Sequence, residues 1–214
     1  MIIRHIGHAE FLIETESGMR IVMDPYDAGT GYPIKKIRAD VALISHEHHD
    51  HNAVDNLEGL TLTIREPGIY TAAKDVRITA LRSFHDETQG SERGETLLFL
   101  TEADGLRVVH LGDLGCFPDE GQIRELAQPD VLMIPVGGFY TIDGRKAREI
   151  TEMLRPAVTL PMHYKTIYNA DWPICGPEEF LEGIPENDIR RDIEVLRITK
   201  ADRECQPRVA LFRA

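Results

Sequence analysis

The sequence predicts an α/β fold: two β-rich layers flanked by helices, in a single domain over residues 1–214. Three observations predict it. Short apolar or alternating runs crowd the first half of the chain, and the second half alternates strand-like with helix-like segments. No stretch rich in Gly, Ser or Pro divides the two halves.

In order, "MIIRHI", "EFLIET" and "MRIVMD" read as strands, the last two joined through "ESG", a hairpin signal. "DVALIS" (40–45) is a compact buried-strand run that delivers the chain into "SHEHHDHN". "TLTIRE" and "VRITALRSF" follow as strands, the second ending at His85. "GETLLFLTEADGLRVVHLGD" holds two β-rich runs around Ala103-Asp104-Gly105, a further hairpin. "DEGQIRELAQ" then reads as helix, "DVLMIPV" as buried strand, "DGRKAREITEMLR" as helix stopped by Pro156, and "AVTLPM" as strand. A shorter helix, "PEEFLEGI", and two late strands, "IEVLRI" and "RVALF", complete the chain.

Composition bounds the function. Apolar residues make up 42% and charged residues 28%, ordinary for a globular protein long enough to bury a large core. The net charge of −12 speaks against nucleic acid or an anionic membrane as partner, since both need a positive footprint. No apolar run is long enough to span a bilayer, and the N-terminus lacks the order of a signal peptide. Three widely spaced cysteines, Cys116, Cys175 and Cys205, do not suggest a disulfide framework. The expectation is a cytoplasmic protein whose partner is a small-molecule substrate; a homo-oligomer is left open.

The chemistry starts at "SHEHHDHN", which spends four of the nine histidines within eight residues. Written as ligands it is His46-x-His48-x-Asp50-His51. In an extended segment, residues two apart face the same way, so His46 and His48 can grip one ion. Asp50 and His51 come after the chain has room to turn, and can serve a second. Four ligands are too few for two metals. Three more candidates each end an apolar run: His85 in "SFHDE", Asp113 in "HLGDLG" and His163 in "LPMHYKT". Five imidazoles and two carboxylates suit two divalent ions of zinc type, with Mn or Fe as alternatives. Such an ion brings the pKa of its water to about 7, so no serine or cysteine nucleophile is needed. Asp50 is the candidate catalytic residue, orienting the water and receiving its proton.

This pattern resembles the metallo-β-lactamase superfamily, whose signature is His-x-His-x-Asp-His after a strand, then a distant His, Asp and His. Within it the chain looks most like the small-hydrolase branch that includes the phosphorylated-ascorbate lactonase, through "GHAEFLIE", "MDPY", "HLGD", "PVGGFYTID" and "PMHYKT". The resemblance covers roughly residues 1–168 and implies a four-layered αββα sandwich with metals at one edge. It also implies roles. His46, His48 and His85 would hold the first metal, Asp50, His51 and His163 the second, with Asp113 bridging. Asp24 would support the metal loop by hydrogen bonds without ligating. Flavo-di-iron relatives commonly carry Glu where this chain has His48, which favours zinc-type hydrolysis.

Other residues are weaker candidates. His8 lies where the family motif approaches the site, and Tyr140 and Lys165 are candidate substrate contacts. His110 reads as a satisfied core histidine, His49 as facing solvent or the pocket mouth, and Cys116 as a small buried residue. Two rival functions stay open: a metal-dependent oxidoreductase on the same scaffold, and a non-catalytic binding protein. Scaffold alone does not choose the substrate.

Overall fold

The structure is a computed structural model that describes residues 1–213. The chain opens with β1 (Ile2–Gly7), β2 (Glu10–Glu14) and β3 (Arg20–Met23), followed by β4 (Ile37–Arg38) and β5 (Val41–Leu43). After the histidine loop come β6 (Leu57–Glu58), β7 (Leu62–Ile64), β8 (Gly68–Ala73), β9 (Val76–Phe84), β10 (Glu95–Ala103) and β11 (Leu106–His110). Helix α1 (Glu120–Leu126), β12 (Val131–Pro135), α2 (Gly144–Leu154), β13 (Val158–Met162) and the single turn of α3 (Glu178–Leu181) follow. The chain finishes with β14 (Ile189–Ile193), β15 (Leu196–Arg197) and β16 (Val209–Phe212).

Two sheets face each other. One has six strands, ordered β15-β1-β2-β3-β5-β7, and the other eight, ordered β14-β16-β13-β12-β11-β10-β9-β8. Alternation within each strand sends every second side chain into the space between them. From β10, Leu97, Phe99 and Ala103 point inward to meet Phe11, Ile13, Ile21 and Leu43, while Leu98 and Leu100 point outward under the helices. Burying one side chain of this size stabilises the fold by about 1.5–3 kcal/mol. Because β12 is covered on both faces, it reads in sequence as an unbroken apolar run.

The helices pack on the outer face of the eight-stranded sheet through Leu126, Ala147, Ile150, Leu154 and Phe180. Local chemistry sets their ends. Asp119 caps α1 in a reciprocal box with Gln122, and Asp143 caps α2 by accepting from Lys146 N. Arg155 closes α2 in a left-handed conformation, immediately before Pro156. The architecture is an α/β sandwich of two sheets, with one of its outer layers thin. Over the six-stranded sheet, Leu12, Val22, Ala42 and Ile44 are covered by Ile37, Ala39 and Leu57 of the small β4–β6 ribbon and by a 3-10 turn at Val54–Asn56. Among the described residues no α-helix lies there.

Two sequence expectations shift. "IEVLRI" is two strands: Ile193 ends β14 in the eight-stranded sheet, and Leu196 and Arg197 pair with β1 in the other. Asp192, at φ 55°, lies within β14, where its pairing with β16 shifts register between Arg190 and Ile193. Strand β8 completes an edge that its half-exposed, Gly-initiated "GIYTAA" did not announce.

Topology places the site. Strands β11, β12 and β13 run parallel, and β9 runs with β11 because both are antiparallel to β10. Their carboxyl ends therefore share one edge, where His85, Asp113 and His163 emerge. Strands β3 and β5 are likewise parallel and release Asp24 and Ser45. Leu97 N donates to Ser45 O at 2.8 Å, which ties this edge of one sheet to the other. No helix is long and apolar enough to cross a membrane.

Candidate metal centre

The loop after β5 is organised around one buried carboxylate. Asp24 Oδ1 accepts Ser45 N at 2.7 Å, and Oδ2 accepts Ser45 Oγ at 2.7 Å and His51 Nδ1 at 2.9 Å. Ser45 has only one hydroxyl proton, and Asp24 takes it. His46 Nδ1, 2.9 Å from the same Oγ, must then be the donor, which leaves the Nε2 lone pair free. That Nε2 sits 2.9 Å from His48 Nδ1. On the far side, His8 Nε2 donates to Asp50 Oδ2 at 3.2 Å. His8, Asp24 and His163 all adopt a left-handed backbone, at φ 53°, 47° and 52°.

The eight-stranded sheet contributes one group per strand end. Asp113 Oδ2 lies 3.2 Å from His85 Nε2, 3.2 Å from His163 Nε2 and 3.9 Å from His46 Nε2; its Oδ1 lies 3.2 Å from His51 Nε2. Backbone contact without any intervening side chain sets these positions. A Cβ on Gly115 would fall 2.2 Å from His85 C, and one on Gly137 would fall 2.2 Å from His163 O. Three ligand groups result: His46, His48 and His85; His46, His51 and Asp113; and His8, Asp50, His51 and His163. All seven sequence-predicted ligands converge.

Residues 2–163 match the β-lactamase superfamily domain. A UPF0173 protein of Pyrococcus furiosus is 33% identical, over 86% of this chain and 90% of its own. A UPF0173 metal-dependent hydrolase of Archaeoglobus fulgidus is 28% identical, over 92% of this chain and 96% of its own. The chain belongs to the UPF0173 metal-dependent hydrolases of the metallo-β-lactamase superfamily. A solved structure from Thermotoga maritima, described as a candidate Zn-dependent hydrolase of that superfamily, is 33% identical, with TM-score 0.78. It spans 99% of this chain and 97% of its own.

The donor set of this UPF0173 enzyme fits metal ions on its own chemistry. Asp24, Asp50 and Asp113 are three buried carboxylates at one edge, and buried charge is costly unless paired. Burial pushes the Asp113 carboxyl up, but His163 and His51 beside it outweigh that and hold it well below the ordinary range. Burial disfavours charge on His51, yet Asp113, Asp24 and Asp50 together hold it well above the usual imidazole value. Three carboxylates buried at one edge set up negative charge that a cation can balance. Of the rings beside His51, His46 and His8 are held neutral. Burial, reinforced by His51, pushes His46 down to about 3, and burial, reinforced by His163, pushes His8 down to about 4. His51 Nε2 and Asp113 Oδ1 are buried without a hydrogen-bond partner among the described residues.

The chamber these groups face has a volume of about 310 Å³. His48, Asp50, His85, Asp113 and His163 line it, with His49, Tyr140, Arg93 and Trp172 at the rim. Of the two expected substrate contacts, Tyr140 lines the chamber, whereas Lys165 is exposed and does not. His110 is a satisfied core group, with Nε2 donating to Ala9 O at 3.0 Å. Cys116 is half-buried against Phe84 and touches no ligand. The sequence reading missed Arg93 and Trp172. Arg93 hides in a polar turn, "SERGE", and the single tryptophan of the chain was the only available signal for Trp172.

Proposed function

We propose that the chain hydrolyses an ester, lactone or phosphodiester bond of a small soluble substrate, using two zinc-type ions held side by side. One observation carries this reading: Asp113 lies between the two histidine groups, 3.2 Å from His85 and His163 through one oxygen and 3.2 Å from His51 through the other. His46, His48 and His85 would hold one ion and Asp50, His51 and His163 the second, with Asp113 within reach of both groups. Imidazole and carboxylate donors in this ratio suit a borderline ion such as zinc. When bound, the ions supply Lewis acidity and a water pKa near 7.

The chain's own residues do the rest. Asp50 lines the chamber, and burial's upward push on its carboxyl is outweighed by His51 and His8, so it is ionised at neutral pH. It is the group to receive the proton of the attacking water, with His8 Nε2 fixing its orientation from behind. Asp24 holds His51 directly and His46 through Ser45. The likeness of "GHAEF" and "PMHYKT" to the lactonase branch favours a lactone or ester. A chamber of about 310 Å³ on a chain of net charge −12 favours a small molecule over a polynucleotide. The three cysteines are unpaired, which supports a reducing, cytoplasmic compartment.

The test is elemental analysis after loading with zinc or manganese, then a hydrolysis panel of lactones, phosphodiesters, phosphonates and thioesters. About two ions per chain are expected, as in two-metal hydrolytic sites; a stoichiometry that stays near zero would sink the reading. Structured RNA serves as a control. Its efficient cleavage, falling steeply between about 50 and 200 mM salt, would overturn the small-substrate assignment.

A further inference from the structure

We propose that Arg93 is the anion anchor of the substrate site, so that the substrate carries a carboxylate or phosphate group beside the bond that is cut. This rests on the hydrolase reading above and names what that site selects.

Arg93 is a placed residue on an exposed-looking loop. The carboxylate of Asp86, next to the ligand His85, gathers the whole turn. Its Oδ1 accepts Thr88 N at 2.8 Å, Thr88 Oγ1 at 2.9 Å and Gly90 N at 2.8 Å; its Oδ2 accepts Glu92 N at 3.0 Å and Arg93 N at 2.7 Å. The turn closes back on the ligand, since His85 N donates to Gly94 O at 3.0 Å. The position of Arg93 is thereby fixed relative to His85.

Its side chain bridges two spaces. The guanidinium lies 6.0 Å from the Tyr140 ring centroid, and Tyr140 in turn meets Trp172 edge-on at 6.0 Å. Trp172 packs edge-on against His8 at 5.3 Å, so an aromatic wall runs from the ligand shell to Arg93. Arg93, Tyr140 and His85 line both the metal chamber and an adjoining cavity of about 310 Å³. The charge is largely unspent. The nearest carboxylate oxygen, on the exposed Glu92, is 3.9 Å away and is the only acidic partner within ion-pair distance among the described residues. Lys146, on the same adjoining cavity, is neutralised by Glu87.

A chain of net charge −12 repels anions at long range, so an anionic substrate needs a local cationic focus. A guanidinium matches carboxylate or phosphate through two parallel hydrogen bonds, and a ring face below it limits the freedom lost on binding. The wall of Tyr140 and Trp172 accommodates the apolar remainder.

Zinc-loaded wild type, Arg93→Gln and Arg93→Lys are titrated calorimetrically with succinate, glycerol 3-phosphate and neutral 1,4-butanediol. Wild type should bind at least one anion roughly 10–100-fold tighter than Arg93→Gln, the range of a charge-assisted hydrogen bond. Arg93→Lys should recover only part, because an ammonium lacks the fork. Zinc content and Tm should match in all three, and the better-bound anion identifies the group. Equal affinities of wild type and Arg93→Gln, or no anion binding by wild type, overturns the inference. Turnover of neutral esters together with equal affinities defeats this inference alone; Arg93-dependent binding without turnover of any ester, lactone or phosphodiester defeats the hydrolase reading alone.

Discussion

The two sheets present ligands to the same chamber by different means. The loop after β5 carries four candidate ligands in six residues, and a network of side-chain hydrogen bonds converging on Asp24 steadies it. The eight-stranded sheet offers His85, Asp113 and His163 one at a time, located by strand register and by glycines against which neighbouring backbone rests. A polar network deforms gradually when one bond is lost. A backbone contact at van der Waals limits has no intermediate setting. Conservative changes should therefore be tolerated on the loop side and not on the sheet side.

The largest effect should come where both sides meet. Asp113→Ala removes the group that lies against His51 from the loop and His85 and His163 from the sheet. Bound metal should fall to near zero by elemental analysis, beyond the roughly 10–100-fold weakening typical of outer-shell changes. Full retention of both ions would remove Asp113 from the centre. Next, Gly115→Ala drives a methyl to within 2.2 Å of the His85 backbone. Thermal unfolding should report a loss of at least about 1–3 kcal/mol, as for overpacking, together with weaker metal binding. A neutral outcome would show that backbone contact does not set the sheet side. The smallest of the three is Asp24→Asn, which keeps one of the two acceptor oxygens, turns the other into a donor amide and removes the charge. Metal affinity should drop by about 10–100-fold with the fold intact. If Asp24→Asn lost all metal while Asp113→Ala kept it, the two carboxylates would have exchanged roles.

The same contrast explains what could be read in advance. His46, His48, Asp50 and His51 were legible because a loop writes its ligands contiguously. His85, Asp113 and His163 were legible only because each closes a strongly apolar strand, and their roles came from family likeness. The histidine and aspartate lining of the chamber was thus visible in sequence as a candidate metal site. Its rim was not. Arg93 owes its place to Asp86, whose five hydrogen bonds leave no periodic trace, and Trp172 sits on a loop. In the fold, the buried central strands were plain. The edge strands β8 and β14 were not, since a strand half in solvent carries charge, as in "IRRDI", and loses the apolar signature. The lack of an α-helix over the outer face of the six-stranded sheet, among the described residues, was also hidden, because a ribbon and a 3-10 turn can bury the same apolar residues as a helix.

The left-handed backbone at His8, Asp24 and His163 has a consequence for any effort to toughen this protein. Each such residue sits of order 1 kcal/mol or more above a relaxed conformation, and glycine or asparagine would rest there more easily. Selection for heat resistance alone should therefore drift toward small residues at these three positions. Those same replacements would dismantle the charge pattern that draws in the ions. Resilience and chemistry compete here for the same three side chains, so thermostable variants are better sought on the helical face, far from the carboxyl ends of the strands.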